Sequence, residues 1–193
     1  MKNGFPLAVS ALRLRHWLLL LYFWLPLAAV AADFRVVRMA CPLVNDAYQL
    51  DAEIDYRFSD EALEALRNGV RLTLELHIQI RQRDAWVWQE DFQSTRLRYT
   101  LRYHALSGLY QLEERRGGNL QTFATLEAAL RTLGNIEGLP LVKQAQLAPD
   151  TPYLVRLKAS LDLDALPLPL RPLAYLSPSW NLSSGWRSCD LSH

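Results

Sequence analysis

An antiparallel β-sandwich with two short helices is the fold this sequence predicts, and two features carry the prediction. Four long segments alternate apolar and polar residues with period two, the pattern of strands that bury one face and leave the other in water. Turn-forming residues separate those segments, and only two short stretches carry helical periodicity. One-sided strands need a cover, and a second sheet offers more apolar area than two short helices. The alternative is one curved antiparallel sheet with both helices on its concave face.

In chain order, the first strand is read over Phe34 to Met39. Next, Tyr48, Leu50, Ala52, Ile54, Tyr56 and Phe58 share a face, opposite Gln49, Asp51, Glu53, Asp55 and Arg57. Asp60 to Asn68 puts Ala62, Leu63 and Leu66 on one side of a helix, with Gly69 as its C′ residue. The cleanest strand follows: Val70, Leu72, Leu74, Leu76, Ile78 and Ile80 interleave with polar residues through Arg81. Leu97, Tyr99, Leu101 and Tyr103 alternate with Arg96, Arg98, Thr100, Arg102 and His104. Tyr153, Val155, Leu157, Ala159, Leu161 and Leu163 repeat the pattern against Arg156, Lys158, Ser160, Asp162 and Asp164. Shorter strands are read over Ala85 to Glu90, Leu109 to Glu114, Leu120 to Phe123 and Trp180 to Ser188, with hairpin turns at Ser107-Gly108 and Gly117-Gly118. The second helix spans Leu126 to Leu133, capped by Thr125 and stopped by Gly134. Uninterrupted composition and this run of strands point to a single immunoglobulin-like sandwich.

Residues 1–32 read as a secretory signal peptide. Arg13, Arg15 and His16 precede an apolar run from Trp17 to Leu27, and small residues from Ala28 to Ala32 lead to Asp33. The expected mature chain, residues 33–193, is one β-rich domain working in the periplasm, where chemistry that draws on ATP, NAD or nucleic acid is out of place. The rival reading is an uncleaved anchor, the one case in which the expectation includes membrane contact. Trp17 to Ala32 is 16 residues, short of the roughly 20 that cross a bilayer. A lipoprotein reading fails because Arg38-Met39-Ala40 before Cys41 lacks the apolar residue expected there.

Losing Lys2, Arg13 and Arg15 takes 21 cations to 18 against 20 anions, so the net charge moves from +1 to −2. Such a domain has no global field to steer nucleic acid or other polyanions. Cys41 and Cys189 lie near opposite ends of the mature chain. In an oxidising compartment they form either one disulfide closing nearly the whole domain or two separate thiols; sequence alone leaves both open.

Catalytic and cofactor signatures are missing: there is no G-x-S-x-G, H-E-x-x-H, Walker loop, C-x-x-C or G-x-G-x-x-G. The expectation is therefore a non-enzymatic protein that needs no cofactor or metal. His77 and His104, with Glu75 as a third ligand, would hold a metal only in a register that brings the two rings together. Asp162/Asp164 and Glu113/Glu114 are paired carboxylates, but neither pair faces itself across a cleft as glycoside hydrolysis requires. Asp51, Glu53 and Asp55 form an acidic row, and Arg96, Arg98 and Arg102 a basic one. Cross-strand ion pairing explains these rows more economically than a stripe gripping an anionic partner.

Leu166-Pro167-Leu168-Pro169-Leu170-Arg171-Pro172-Leu173-Ala174-Tyr175-Leu176 is the least ordinary stretch. Alternating Leu and Pro predicts an extended, polyproline-like segment. Either its leucines plug an open end of the sandwich, or Leu166, Leu168, Leu170, Arg171, Leu173 and Tyr175 present a docking strip to a partner. Trp180 and Trp186, on one face of the last strand, and Trp86 and Trp88 read as core or sheet-edge anchors.

Four blocks together resemble a proteobacterial family of unknown function, DUF4390. They are Arg67-Asn68-Gly69-Val70-Arg71-Leu72-Thr73-Leu74-Glu75-Leu76, Leu101-Arg102-Tyr103-His104-Ala105-Leu106, Thr125-Leu126-Glu127-Ala128-Ala129-Leu130, and Ala165-Leu166-Pro167-Leu168-Pro169-Leu170-Arg171-Pro172. The resemblance implies an exported bacterial protein with no assigned activity, encoded beside a membrane-bound two-component sensor kinase of the nitrogen-regulation type. The functional expectation is thus a periplasmic accessory module that binds an envelope or membrane protein, with a sensor kinase as the implied partner. The alternative is a small apolar ligand or lipid carrier with a cavity between the sheets lined by Tyr48, Tyr99 and Tyr103.

Overall fold

The computed structural model describes residues 33–86 and 91–191. The proposed leader, Trp88 and His193 lie outside them. Among the described residues there are two antiparallel sheets and three short helices. In the smaller sheet the central strand is β3 (Ala47–Tyr56). β1 (Phe34–Ala40) and β2 (Leu43–Val44) follow one another along one flank of it, and β8 (Asn135–Lys143) runs along the other. The larger sheet has the order β10 (Arg187–Leu191), β9 (Tyr153–Leu161), β4 (Leu72–Gln82), β5 (Gln93–His104), β6 (Leu109–Glu114) and β7 (Leu120–Phe123). The two inner faces share one apolar core: Tyr48, Leu50 and Ile54 of β3 belong to the same buried cluster as Leu74, Leu76, Leu101 and Leu157. Two sheets with a common core set aside the single curved sheet.

The alternating rows behave as period-two chemistry requires. On β9 every odd residue from Tyr153 to Leu161 is buried, and on β4 Leu72, Leu74, Leu76, Ile78 and Ile80 are buried together. Helix α1 (Asp60–Arg67) is capped by Ser59, whose side chain accepts from the Ala62 amide. It ends in a Schellman motif: Gly69 donates to Leu66 O and Val70 to Ala65 O, with Gly69 at φ +85° where a side chain would be strained. Helix α2 (Leu126–Gly134) is capped as expected by the Thr125 hydroxyl on the Ala128 amide. Gly134 does not stop it in the manner of a C′ glycine. It is the last helical residue, and a Cβ there would collide with the Ile54 carbonyl oxygen, so it lets α2 touch β3.

Other departures have local causes. Asn45 and Asp46, both at positive φ, make a two-residue hairpin between β2 and β3. β8 is a strand although Gly138 and Pro140 interrupt its alternation; register shifts against β3 absorb the irregularity, and the Gly138 amide donates to Asp51 Oδ1 at 2.7 Å. The described part of the stretch expected as a strand from Ala85 is not one, and Trp86 is exposed rather than an anchor. The last strand is shorter than expected. Trp180 sits buried in a 3-10 turn (Pro178–Trp180), while Trp186 lies just before β10 with its ring against His77 and under the Arg156 guanidinium.

Candidate functional site

The Leu-Pro stretch is not extended. Leu163–Ala165 form a 3-10 turn, Leu170 N donates to Pro167 O, and Arg171–Leu176 form a third helix, α3. Two of the prolines sit where a missing N–H is not needed: Pro167 opens a turn and Pro172 falls in the first turn of α3, where amides have no intrahelical partner. Arg171 ties the segment down, its Nε donating to Leu166 O at 2.8 Å.

Folding this stretch divides its apolar residues. Leu166 and Ala174 are buried and close the sandwich end. Leu168, Leu173 and Leu176 are 73%, 66% and 85% exposed, with Tyr175 beside them and Leu170 half-buried. Burial and exposure are thus divided among the residues of this stretch. Tyr175 is fixed by donating its hydroxyl to Asp164 Oδ1 at 2.6 Å, and that hydrogen bond pushes its pKa up.

Next to α3, the outer face of the large sheet carries an ion network. Arg98 Nε lies 2.8 Å from Glu75 Oε2 and 3.4 Å from Asp162 Oδ2, while Arg96 lies 3.7 Å from Glu75 Oε1. Two members of the basic row of β5, Arg96 and Arg98, therefore find carboxylates on β4 and after β9, while Arg102 does not. The acidic row of β3 is matched separately: Glu53 pairs with Arg38, Asp55 with Arg57, and Asp51 accepts from Gly138. Asp162 and Asp164 are held by these partners and do not face one another across a cleft.

The histidines do not meet. β4 and β5 do pair, but the register sets His77 opposite Arg96 and on the other side opposite Lys158. His104 is eight residues further along β5, roughly 26 Å at strand rise, with Nε2 on Gln111 Oε1 at 2.6 Å. Among the described residues no cluster of three or more His, Cys, Asp or Glu could hold a metal. Burial and then Arg96 push the His77 pKa below its ordinary value. The three tyrosines expected around a cavity also separate: Tyr48 is fully buried, Tyr103 packs on Tyr110 at 4.8 Å, and Tyr99 lines a 370 Å³ cleft with Leu112, Leu133 and Pro140.

Cys41 and Cys189 are disulfide-bonded, with Cα atoms 6.1 Å apart. Cys41 lies between β1 and β2 and Cys189 on β10, so the bond ties one edge of the small sheet to one edge of the large sheet.

Sequence reasoning missed that α3 shares its end of the molecule with two other features. The β4–β5 register places the β5–β6 hairpin, with Leu106 fully exposed at its tip, at the end where β4 begins and β9 finishes. A 550 Å³ groove there runs between Arg67-Asn68-Gly69 and residues 102–107. Three of the four segments that carry the family resemblance, around residues 67–72, 101–106 and 165–172, converge on this end. Only the register, which the sequence does not print, brings them together.

Fold and surface together define an antiparallel sandwich domain with an apolar, arginine-flanked end. A family model for a domain of unknown function (DUF4390) matches residues 31–190, and the chain belongs to that family. No curated protein and no solved structure matches it.

Proposed function

We propose that this chain is an exported, non-enzymatic accessory module that binds a membrane or envelope protein through α3, with a membrane two-component sensor kinase as the class of partner. The observation that carries the reading is the row of exposed apolar side chains Leu168, Leu173, Tyr175 and Leu176 on a segment anchored from beneath by Leu166, Ala174 and Arg171. Single exposed leucines are ordinary on protein surfaces, whereas several on one short, fixed segment mark a binding surface. The anchoring matters because a preorganised strip loses little entropy on docking. Export follows from the leader, and the Cys41–Cys189 bond suits an oxidising compartment.

The test is photocrosslinking in intact cells from a reactive residue at position 173, with position 145 at the far end of the small sheet as control. Capture of a membrane sensor kinase from position 173 only, abolished by L168S together with L176S, supports the proposal. Equal capture of abundant envelope proteins from both positions removes it.

A further inference from the structure

We infer that this end of the domain also seats on an anionic lipid surface, through the β5–β6 hairpin tip and Arg67, Arg71 and Arg102. The inference is independent of a protein partner on α3. Along the outer face of the large sheet Arg96 and Arg98 have carboxylates. Arg71 and Arg102 do not. The register sets Leu72 opposite Leu101, so Arg71, just before β4, and Arg102, just after Leu101 on β5, lie at the same end of this strand pair. Arg67 lines the same groove as Arg102. All three are exposed and enter no ion pair among the described residues. The planar forks of unmatched guanidinium groups ask for anions that offer two oxygens side by side, which phosphate headgroups supply.

Leu106 selects a lipid surface over a soluble anion. It stands fully exposed on the hairpin tip beside the arginines, a convex apolar projection with cations behind it, which suits the boundary between acyl chains and headgroups. A protein partner would have to offer a matching hollow ringed by carboxylates. The chain also reaches the domain at this end: Asp33 is held there, its carbonyl accepting from Arg57 N and its carboxylate from Ser183 N. Once seated, the contact needs no uncleaved anchor.

The experiment uses the full chain carrying L106C, labelled with an environment-sensitive fluorophore; the native cysteines are bonded to each other and do not take the label. Vesicles of phosphatidylethanolamine and phosphatidylglycerol are compared with vesicles of phosphatidylcholine, with A145C as the control label. The emission of the L106C label is expected to shift to the blue on anionic vesicles only, with no shift at A145C. Partitioning should fall about fivefold for each of R71Q and R102Q and collapse in 0.5 M salt, which also tests the unaltered arginines. A shift that ignores lipid charge, salt and both substitutions overturns the inference. So does a label that responds to solubilised envelope proteins but to no vesicle.

Discussion

At Gly134 the absence of one methyl group decides whether a helix can lie against a strand. A Cβ would meet backbone, the Ile54 carbonyl, and not a side chain able to swing aside. Gly134→Ala should therefore destabilise the protein by about 2 kcal/mol despite the better helix propensity of alanine, the penalty typical of overpacking. Urea unfolding reads this directly, and an unchanged midpoint would show that α2 stands further from β3. His77 illustrates a different residue-scale effect. Its folded pKa lies below the ordinary 6.5, first through burial and then through Arg96, so its neutral form favours the fold. That contribution is complete above the unfolded value and is lost as pH falls below it. The loss of stability between pH 7.5 and 5 should be shallower in His77→Gln than in the wild type. Equal slopes would mean that His77 titrates as it would in water.

At the scale of elements, the long strands are legible because burial on a sheet has a period of two and β3, β4, β5 and β9 follow it with few breaks, such as the buried Thr73. Caps were legible where the chemistry is local, as at Thr125 and Gly69. β8 was not, because Gly138 and Pro140 break its alternation and only pairing with β3 makes it a strand. The Asn45-Asp46 hairpin carries a readable local signal, two residues tolerant of positive φ between apolar segments. α3 was misread for a physical reason: proline spacing alone does not distinguish a polyproline run from a turn followed by a helix whose first residues need no amide. The resulting division of labour is testable. Leu166→Ala should cost about 2–4 kcal/mol, as truncation of a fully buried leucine does, whereas Leu173→Ser should leave the unfolding midpoint within about 0.5 kcal/mol. If both substitutions destabilise alike, α3 is core and presents nothing.

For the molecule as a whole, two sheets of unequal width are joined by α1, α2 and the disulfide between their edges. The bridge spans 148 residues, and closing so long a loop in the unfolded chain is worth about 5 kcal/mol in the loop-entropy view. The double variant C41S/C189S should unfold at markedly lower denaturant than the wild type, and reducing agent should bring the wild type to the same midpoint. Coincident curves in oxidised and reduced buffer would show that the edges hold without the bond. The candidate site belongs to this scale too. Leu106, Arg71, Arg102 and α3 are far apart in sequence, and a register that no local pattern specifies gathers them at one end. The unusual composition of the Leu-Pro stretch could therefore be read from the sequence, while the gathering of the arginines beside it could not.

If α3 docks on a partner, Leu168, Leu173, Tyr175 and Leu176 are bare on the isolated domain and covered in the cell. Hydroxyl-radical footprinting of the purified protein and of intact cells measures both states in one experiment. Strong labelling of these four residues is expected in the purified protein, with protection in cells and with Leu166 protected in both. Equal labelling of the four in both settings, or protection already in the purified protein, would contradict docking through α3.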